Sequence, residues 1–123
     1  MIDEKPLRWI GPAQKEVRAL PDEARTLAGR DLRRVQRGRM PNDWKPMERV
    51  GPGACEIRVR TVEGGAVQHR VIYVARFPEA VYVLHAFEKK TQRTPPHHLE
   101  LAESRYRQML RERPDGGNEG RKS

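Results

Sequence analysis

The chain has 123 residues with 25 Lys and Arg against 17 Asp and Glu, so its formal net charge at pH 7 is +8, which favours polyanionic partners such as nucleic acid. Its length suits one domain, and the lone Cys55 excludes an internal disulfide and a cysteine-based zinc site. No apolar run approaches the roughly 18 residues of a membrane span and the first residues lack a signal-peptide pattern, so we expect a cytoplasmic protein without membrane contact.

The amino-terminal part of the chain predicts a short strand and two helices. Pro6–Ile10 is the strand, and the Gly11-Pro12 pair ends it and opens a brief helix to Leu20. Apolar residues at helical spacing predict a longer helix over Pro21–Gln36. Its other face carries five arginines: Arg25, Arg30, Arg33, Arg34 and Arg37. This basic stripe is either a solvated face or a contact surface for a partner or RNA.

The middle of the chain has the alternation of an antiparallel sheet. A short strand is expected over Met47–Val50, and Cys55–Val62 alternates so that one face is buried. The polar residues assigned to its open face are Glu56, Arg58 and Arg60. Two apolar strands follow across short turns, at His69–Phe77 and Val81–Phe87, with the first of these turns at Glu63–Gly65. The last three strands therefore form a meander.

A final helix is expected over Pro95–Arg113, with Thr94 as its cap. Its buried stripe comprises Leu99, Ala102, Tyr106, Met109 and Leu110. The segment after Pro114 has no apolar anchor, so we expect one domain over residues 1–113 and a disordered tail over 114–123. The fold class is α+β, an antiparallel meander with two amino-terminal helices and one carboxy-terminal helix.

Three motifs carry a family resemblance. They are CEIRVR at 55–60, RVIYV at 70–74 and LHAFEKKTQRTP at 84–95. Together they resemble the RelE/HigB superfamily of toxins from type II toxin–antitoxin pairs. The third motif resembles the Leu-His-x-Phe-x-Lys-Lys-Thr signature of the HigB-like, phage-related branch, which is followed by a helix with an Ala-x-x-Arg element, here Ala102 to Arg105. The resemblance covers roughly residues 7–112 and implies a small RelE-like domain.

The resemblance implies an endoribonuclease, an mRNA interferase that cleaves messenger RNA on the ribosome, inhibits translation and arrests growth. It also implies a partner, a helix-turn-helix antitoxin similar to HigA, with operator DNA bound only through the toxin–antitoxin complex. No metal or other cofactor is expected. Two other functions stay open: poisoning of DNA gyrase, as in the related ParE branch that lacks the nuclease residues, and non-catalytic binding of nucleic acid by a basic module.

Cleavage of RNA without a metal needs a base for the 2′-hydroxyl, an acid for the 5′-oxygen and cations for the charge on phosphorus. By resemblance, Arg70 binds the scissile phosphate through its planar guanidinium, although His69 replaces the usual preceding aromatic residue. A salt-bridged strand end is the alternative for Arg70. Lys89 and Lys90 stand where relatives keep an acid or a transition-state stabiliser, and nearby cations are expected to lower the pKa of one of them.

The remaining candidates are basic residues around these motifs. Arg58 occupies a position that is basic in relatives and takes part in catalysis or RNA binding. The residues expected to bind RNA are Arg60, Arg76 and Arg93; an exposed structural charge is the alternative for Arg60. His85 has an ordinary pKa near neutrality and is either the general base or a core histidine, since alternation puts it on the face of Val83 and Phe87.

Overall fold

The computed structural model describes residues 4–62 and 68–114. Its elements, in chain order, are β1 Leu7–Trp9, α1 Ala13–Arg18, α2 Asp22–Gln36, β2 Trp44–Pro46, β3 Ala54–Val59, β4 Gln68–Val74, β5 Val81–Lys89 and α3 Pro96–Glu112. The strands form one sheet in the order β1-β5-β4-β3-β2, in which β1 is parallel to β5 and every other pair is antiparallel. The expected α+β class and the meander of three antiparallel strands are confirmed. The turn expected at Glu63–Gly65 and tail residues 115–123 lie outside the described residues.

Each face of the sheet carries an apolar core. The first core packs α1 and α2 against the sheet, and the buried positions of α2 recur at helical spacing: Ala24, Ala28, Leu32 and Val35. The second core packs α3 against the other face through Ala102, Tyr106 and Met109. Leu110, expected in this stripe, is 39% exposed, because the stripe is centred on Ala102, Arg105 and Met109 and so leaves Leu110 at its edge.

The prediction of a strand at Met47–Val50 is wrong. The edge strand is instead Trp44–Pro46, which pairs with β3 and can hold Pro46 because an outer strand does not need every N–H group. Met47 and Val50 lie in a turn, where the N–H of Val50 donates to the carbonyl of Met47 at 2.9 Å. Both side chains are buried against the α3 core, so their apolar character reflects packing of a turn.

The ends of several elements also differ from expectation. Strand β3 ends at Val59 and β4 at Val74, both three residues earlier than expected, whereas β5 continues to Lys89. Helix α3 begins at Pro96 with Pro95 in the cap position and no side-chain cap, so Thr94 does not cap it. Lys89 consequently belongs to a strand and not to the turn.

Strand β5 contains a bulge at Leu84. Tyr73 pairs with Val83 but Ile72 pairs with His85, so Leu84 is an extra residue on β5. Val83 packs in the α1–α2 core, whereas Phe87 packs in the α3 core. The expectation that His85 shares a face with Val83 is therefore wrong, because the bulge turns the second half of β5 by one position.

Candidate functional site

A cationic cleft of about 380 Å³ lies where β3, β4 and β5 meet the segment after β5. Six basic side chains line it: Lys45, Arg58, Arg60, Arg70, Lys89 and Lys90. Five of these six are residues that the sequence singled out, and Lys45 on the edge strand β2 is the addition. Local alternation and the order of the strands bring them together, because side chains of one parity on neighbouring strands share a face.

The register of the sheet places like charges side by side in this cleft. Arg58 of β3 lies directly opposite Arg70 of β4, and Lys89 of β5 lies opposite Gln68, two residues from Arg70. Directly opposed like charges destabilise a sheet. Such an arrangement is stable only with a counter-charge, either from the protein or from a bound anion.

The protein supplies part of this counter-charge through Glu56, for which alternation predicts an open face. Glu56 is completely buried, and its Oε1 lies 3.3 Å from Nε of Arg70 and 4.0 Å from both Nε of Arg58 and Nζ of Lys45. Neither carboxylate oxygen makes a hydrogen bond within the described residues. The sequence feature that could have identified Glu56 as a site residue is its position, because it is an acidic residue two places before Arg58 on the same face of the strand.

Arg70 forms the floor of the cleft and is 5% exposed. Its Nη1 donates to the carbonyl of His69 at 3.3 Å and its Nη2 to Oε1 of Gln68 at 2.8 Å. A guanidinium has five N–H groups, so each terminal nitrogen retains one N–H for a ligand. Burial is the main reason that the pKa of Arg70 is lowered, but an arginine remains protonated at neutral pH.

The two lysines occupy different environments. Lys89 is 6% exposed, and its pKa is lowered, first by burial and then by the charge of Arg70. We expected neighbouring cations to lower the pKa of one of the lysines. They do so for Lys89, but burial lowers its pKa more than the cations do. Lys90 is largely solvated, with its Nζ 3.5 Å from Oε1 of Glu88. Lys89 is therefore the lysine whose protonation depends on the cleft.

His85 does not line the cleft. Its ring is buried, with Nδ1 2.8 Å from Oε1 of Glu16 and Nε2 2.9 Å from Nδ1 of His98, and it stacks on Phe87 at 4.9 Å between centroids. Burial and the neighbouring charge of His85 lower the pKa of His98 to about 4. Of the two interpretations of His85, the structure places it in the hydrogen-bonded core.

Glu16 of α1 organises this buried network, and no pattern in the sequence marks it for that role. Its Oε1 accepts hydrogen bonds from Arg105 at 2.7 Å and from the N–H of Ala86 at 3.1 Å, besides that from His85. Burial raises the pKa of Glu16, but these hydrogen bonds outweigh it and lower the pKa to about 2. Arg105 also donates to the carbonyl of Leu84 at 2.9 Å, so the Ala-x-x-Arg element holds the bulge of β5.

The three residues expected to bind RNA are separated. Arg60 lines the cleft, where its Nε lies 3.8 Å from Oδ2 of Asp43. Arg76 lies over the ring of Phe77 at 4.8 Å and donates to the carbonyl of Pro52 at 3.4 Å, away from the residues that line the cleft. Arg93 is exposed in the segment after β5 and does not line the cleft.

Residues 4–62 and 68–114 offer neither a metal centre nor a membrane-spanning helix. This part of the chain holds no group of three or more His, Cys, Asp and Glu side chains placed to bind a metal ion. Its helices are all too short or too polar to cross a membrane.

Comparison with known proteins connects the cleft to a family. None of the curated proteins matches this chain. The model of the family described as Phage derived protein Gp49-like (DUF891) matches residues 15–107, well over half of the chain, and this range includes every residue that lines the cleft. The chain belongs to the Gp49-like family of phage-derived proteins, a RelE-like family associated with the toxins of toxin–antitoxin systems.

Proposed function

We propose that this chain is a HigB-like toxin that cleaves messenger RNA on the ribosome without a metal ion and so inhibits translation. The observation that carries the proposal is the convergence of Arg58, Arg70 and Lys89 from three adjacent strands on one cleft. Fixed cations in a partly desolvated site stabilise the extra negative charge that develops on a phosphorus centre during cleavage. Membership of a toxin family supports the same function.

The proposed roles follow the burial of each cation. Arg58 and Arg70 hold the non-bridging oxygens of the scissile phosphate, and Lys89 donates a proton to the leaving 5′-oxygen. The 2′-oxygen attacks phosphorus and its proton passes to solvent, while the bond from phosphorus to the 5′-oxygen breaks. The products are a 2′,3′-cyclic phosphate and a 5′-hydroxyl. His85 has no role in this chemistry, because it lies in the buried network around Glu16.

The rim of the cleft extends the same chemistry to the neighbouring nucleotides. Arg60 and Lys90 are exposed, with side chains 62% and 72% accessible, and are proposed to contact phosphates next to the scissile one. The proposed protein partner is a helix-turn-helix antitoxin similar to HigA, and operator DNA is bound only by the complex of the two proteins. Association of the family with toxin–antitoxin systems supports this partner.

The test is cleavage in a translating extract, with new 5′ ends mapped on a reporter message. The site variant is Arg58→Gln with Lys89→Gln, and the matched control is Arg107→Gln with Arg111→Gln on α3, which removes the same charge outside the cleft. We expect the wild type and the control to cleave, and the site variant to lose at least about 100-fold in rate.

Other outcomes would contradict the proposal. Equal loss in both double variants would show that net charge and not the cleft carries the activity. Intact messages together with DNA breaks in growing cells would assign the chain to the gyrase poisons. Purification with a folded-state check by circular dichroism separates either result from simple unfolding of a variant.

A further inference from the structure

We infer that the bound RNA strand continues from the cleft into a second groove between α2 and β3, where Arg30 and Arg34 hold the phosphates that flank the cleavage site. This inference rests on the proposed function and adds a substrate subsite to it. The groove has a volume of about 320 Å³. Four arginines line it, Arg30 and Arg34 from α2 and Arg58 and Arg60 from β3 and the residue that follows it.

The groove and the cleft share two of their lining residues. Arg58 and Arg60 line both, so these two side chains stand on the boundary between the two depressions. Their side chains are 30% and 62% exposed, and each lies 3.8 Å from a carboxylate oxygen of Asp43, so part of each side chain stays open to a ligand. A chain of linked phosphates held at Arg70 therefore reaches the groove by passing over Arg58 and Arg60.

The arginine stripe of α2 is not uniform. Arg30 and Arg34 are four residues apart, so they project from the same side of the helix into the groove. Arg25 and Arg37 instead pair with carboxylates outside it, at 2.7 Å to Asp22 and 3.1 Å to Glu4. The sequence left two interpretations of the basic stripe open, a solvated face or a contact surface. These interpretations apply to different residues of the stripe, and Arg30 and Arg34 form the contact surface.

Buried Asp31 makes this part of the groove a built site. It is 6% exposed, and its Oδ1 lies 3.2 Å from Nη1 of Arg34 and accepts the N–H of Asn42 at 3.1 Å. The same carboxylate therefore orients the arginine and fixes the loop on the other side of the groove. Arg34 keeps half of its side chain exposed and most of its N–H groups for a ligand.

The chemistry of the groove favours RNA over an acidic protein segment. Its occupant is continuous with a strand whose phosphate lies at Arg70, and half-buried Leu27 supplies apolar surface in the groove for the face of a base. Contacts to phosphates carry no sequence information. The groove is accordingly a subsite that adds affinity and leaves sequence preference unchanged.

The test measures binding without cleavage. The probes are fluorescein-labelled single strands, three and nine nucleotides long, that are 2′-O-methylated throughout and so cannot be cleaved through a 2′-hydroxyl. The site variant is Arg30→Gln with Arg34→Gln. The matched control, Arg33→Gln with Arg37→Gln, removes the same charge from the same helix end outside the groove.

We expect the site variant to bind the nine-nucleotide strand about tenfold more weakly in fluorescence anisotropy. Its salt dependence should fall by about 1.4 in log–log slope, as the loss of two phosphate contacts predicts. Binding of the three-nucleotide strand should not change, and the control should stay within about twofold of the wild type for both strands.

Three results would overturn the inference. They are equal weakening by the two double variants, absence of binding by the wild type, and equal competition by a poly-glutamate peptide of the same charge, which would assign the groove to acidic protein segments. Cleavage in the translating extract is measured separately. Failure of the groove therefore leaves the proposed nuclease intact, and loss of cleavage by the wild type would refute the nuclease itself.

Discussion

The carboxylate of Glu56 and the guanidinium of Arg70 form a buried ion pair beneath the cationic cleft, with Oε1 3.3 Å from Nε. Removal of one partner from such a pair leaves the other charge uncompensated, which typically costs about 3 to 5 kcal/mol. We expect Glu56→Gln to lower the free energy of unfolding by about 3 kcal/mol in urea denaturation. Glu88→Gln is the control, because that carboxylate is 45% exposed and pairs with solvated Lys90.

The coupling is checked with Arg70→Gln and the double variant. If the two groups act as a pair, the double variant loses less than the sum of the single losses. Additive losses, or a Glu56→Gln variant as stable as wild type, would contradict the assignment of Glu56 as the internal counter-charge.

We expect loss of the proton of Lys89 to set the upper pH limit of the cleavage rate. Its pKa lies below the ordinary value of 10.5, so it loses its proton at a lower pH than a solvated lysine and can no longer protonate the leaving oxygen. Cleavage should therefore fall with rising pH on the alkaline side. Lys89→Arg replaces the acid with a group that does not release its proton, so this variant should cleave more slowly and without the alkaline limb, whereas Lys90→Arg should keep the limb. Rates from neutral to alkaline pH provide the measurement.

Glu56 adds a second check on the same pH profile. Its negative charge raises the pKa of Lys89, opposing the effect of burial. Glu56→Gln should accordingly move the alkaline limb to lower pH. Movement to higher pH, or an unchanged limb in Lys89→Arg, would exclude Lys89 as the titrating acid.

We expect protonation of Glu16 to make the folded state less stable at acidic pH. Its pKa falls from 4.5 to about 2 in the folded chain, so protons bind more tightly to the unfolded state. The stabilisation is complete above pH 4.5 and is lost as the pH falls towards 2. Glu16→Gln should cost about 2 kcal/mol at neutral pH, and the gap from wild type should close on acidification.

Unfolding free energies measured in steps from neutral pH down to about pH 3 follow this gap. Hydrogen bonds from Arg113 hold the pKa of Glu79 at about 2 as well, but Glu79 is present in both proteins and cancels in the difference. A gap that stays constant with pH would show that the ionised Glu16 does not contribute to stability.

We expect replacement of glycine by alanine to have opposite effects on stability at Gly51 and at Gly29. A Cβ on Gly51 would lie 2.5 Å from the ring of Tyr106, whose hydroxyl donates to the carbonyl of Pro52 at 2.6 Å and so holds the ring in place. Gly51→Ala should therefore destabilise by about 2 kcal/mol. Gly29 lies inside α2, and an added methyl group there would meet nothing within 4 Å, so Gly29→Ala should stabilise by about 0.5 to 1 kcal/mol.

Thermal melts of the two variants decide this point. A lower melting temperature for Gly51→Ala and a higher one for Gly29→Ala are expected. A melting temperature of Gly51→Ala at or above that of the wild type would mean that the contact between Gly51 and Tyr106 does not limit the packing of α3, and a lower melting temperature of Gly29→Ala would contradict the prediction for α2.

The sequence predicts much of the cleft because its ingredients are local. Alternation puts Arg58 and Arg60 on one face, and a meander brings β4 and β5 next to them, which is sufficient to group these residues with Arg70 and Lys89. Burial of Glu56 is not accessible to this reasoning. Alternation alone marks it as open, and the arginine and lysine side chains that cover it come from neighbouring strands.

Long-range contacts and irregularities explain the other differences. Glu16 meets His85 across 69 positions of sequence, and no local pattern marks such a pair. The apolar residues Met47 and Val50 predict a strand by composition, but they pack as a turn. One extra residue at Leu84 changes the face of everything after it, which strict alternation cannot anticipate.

The bulge at Leu84 shifts the alternation of side chains along β5 by one position between the half that builds the core and the half that reaches the cleft. Lys89 lies on the same face as Arg70 only because of this shift. Arg105 holds the bulge in place by donating a hydrogen bond to the carbonyl of Leu84. Regular pairing of the same chain, with Leu84 opposite Ile72, would instead put Lys89 on the opposite side of the sheet without altering any cleft residue. The cleft therefore depends on the register of β5 as strictly as on its composition.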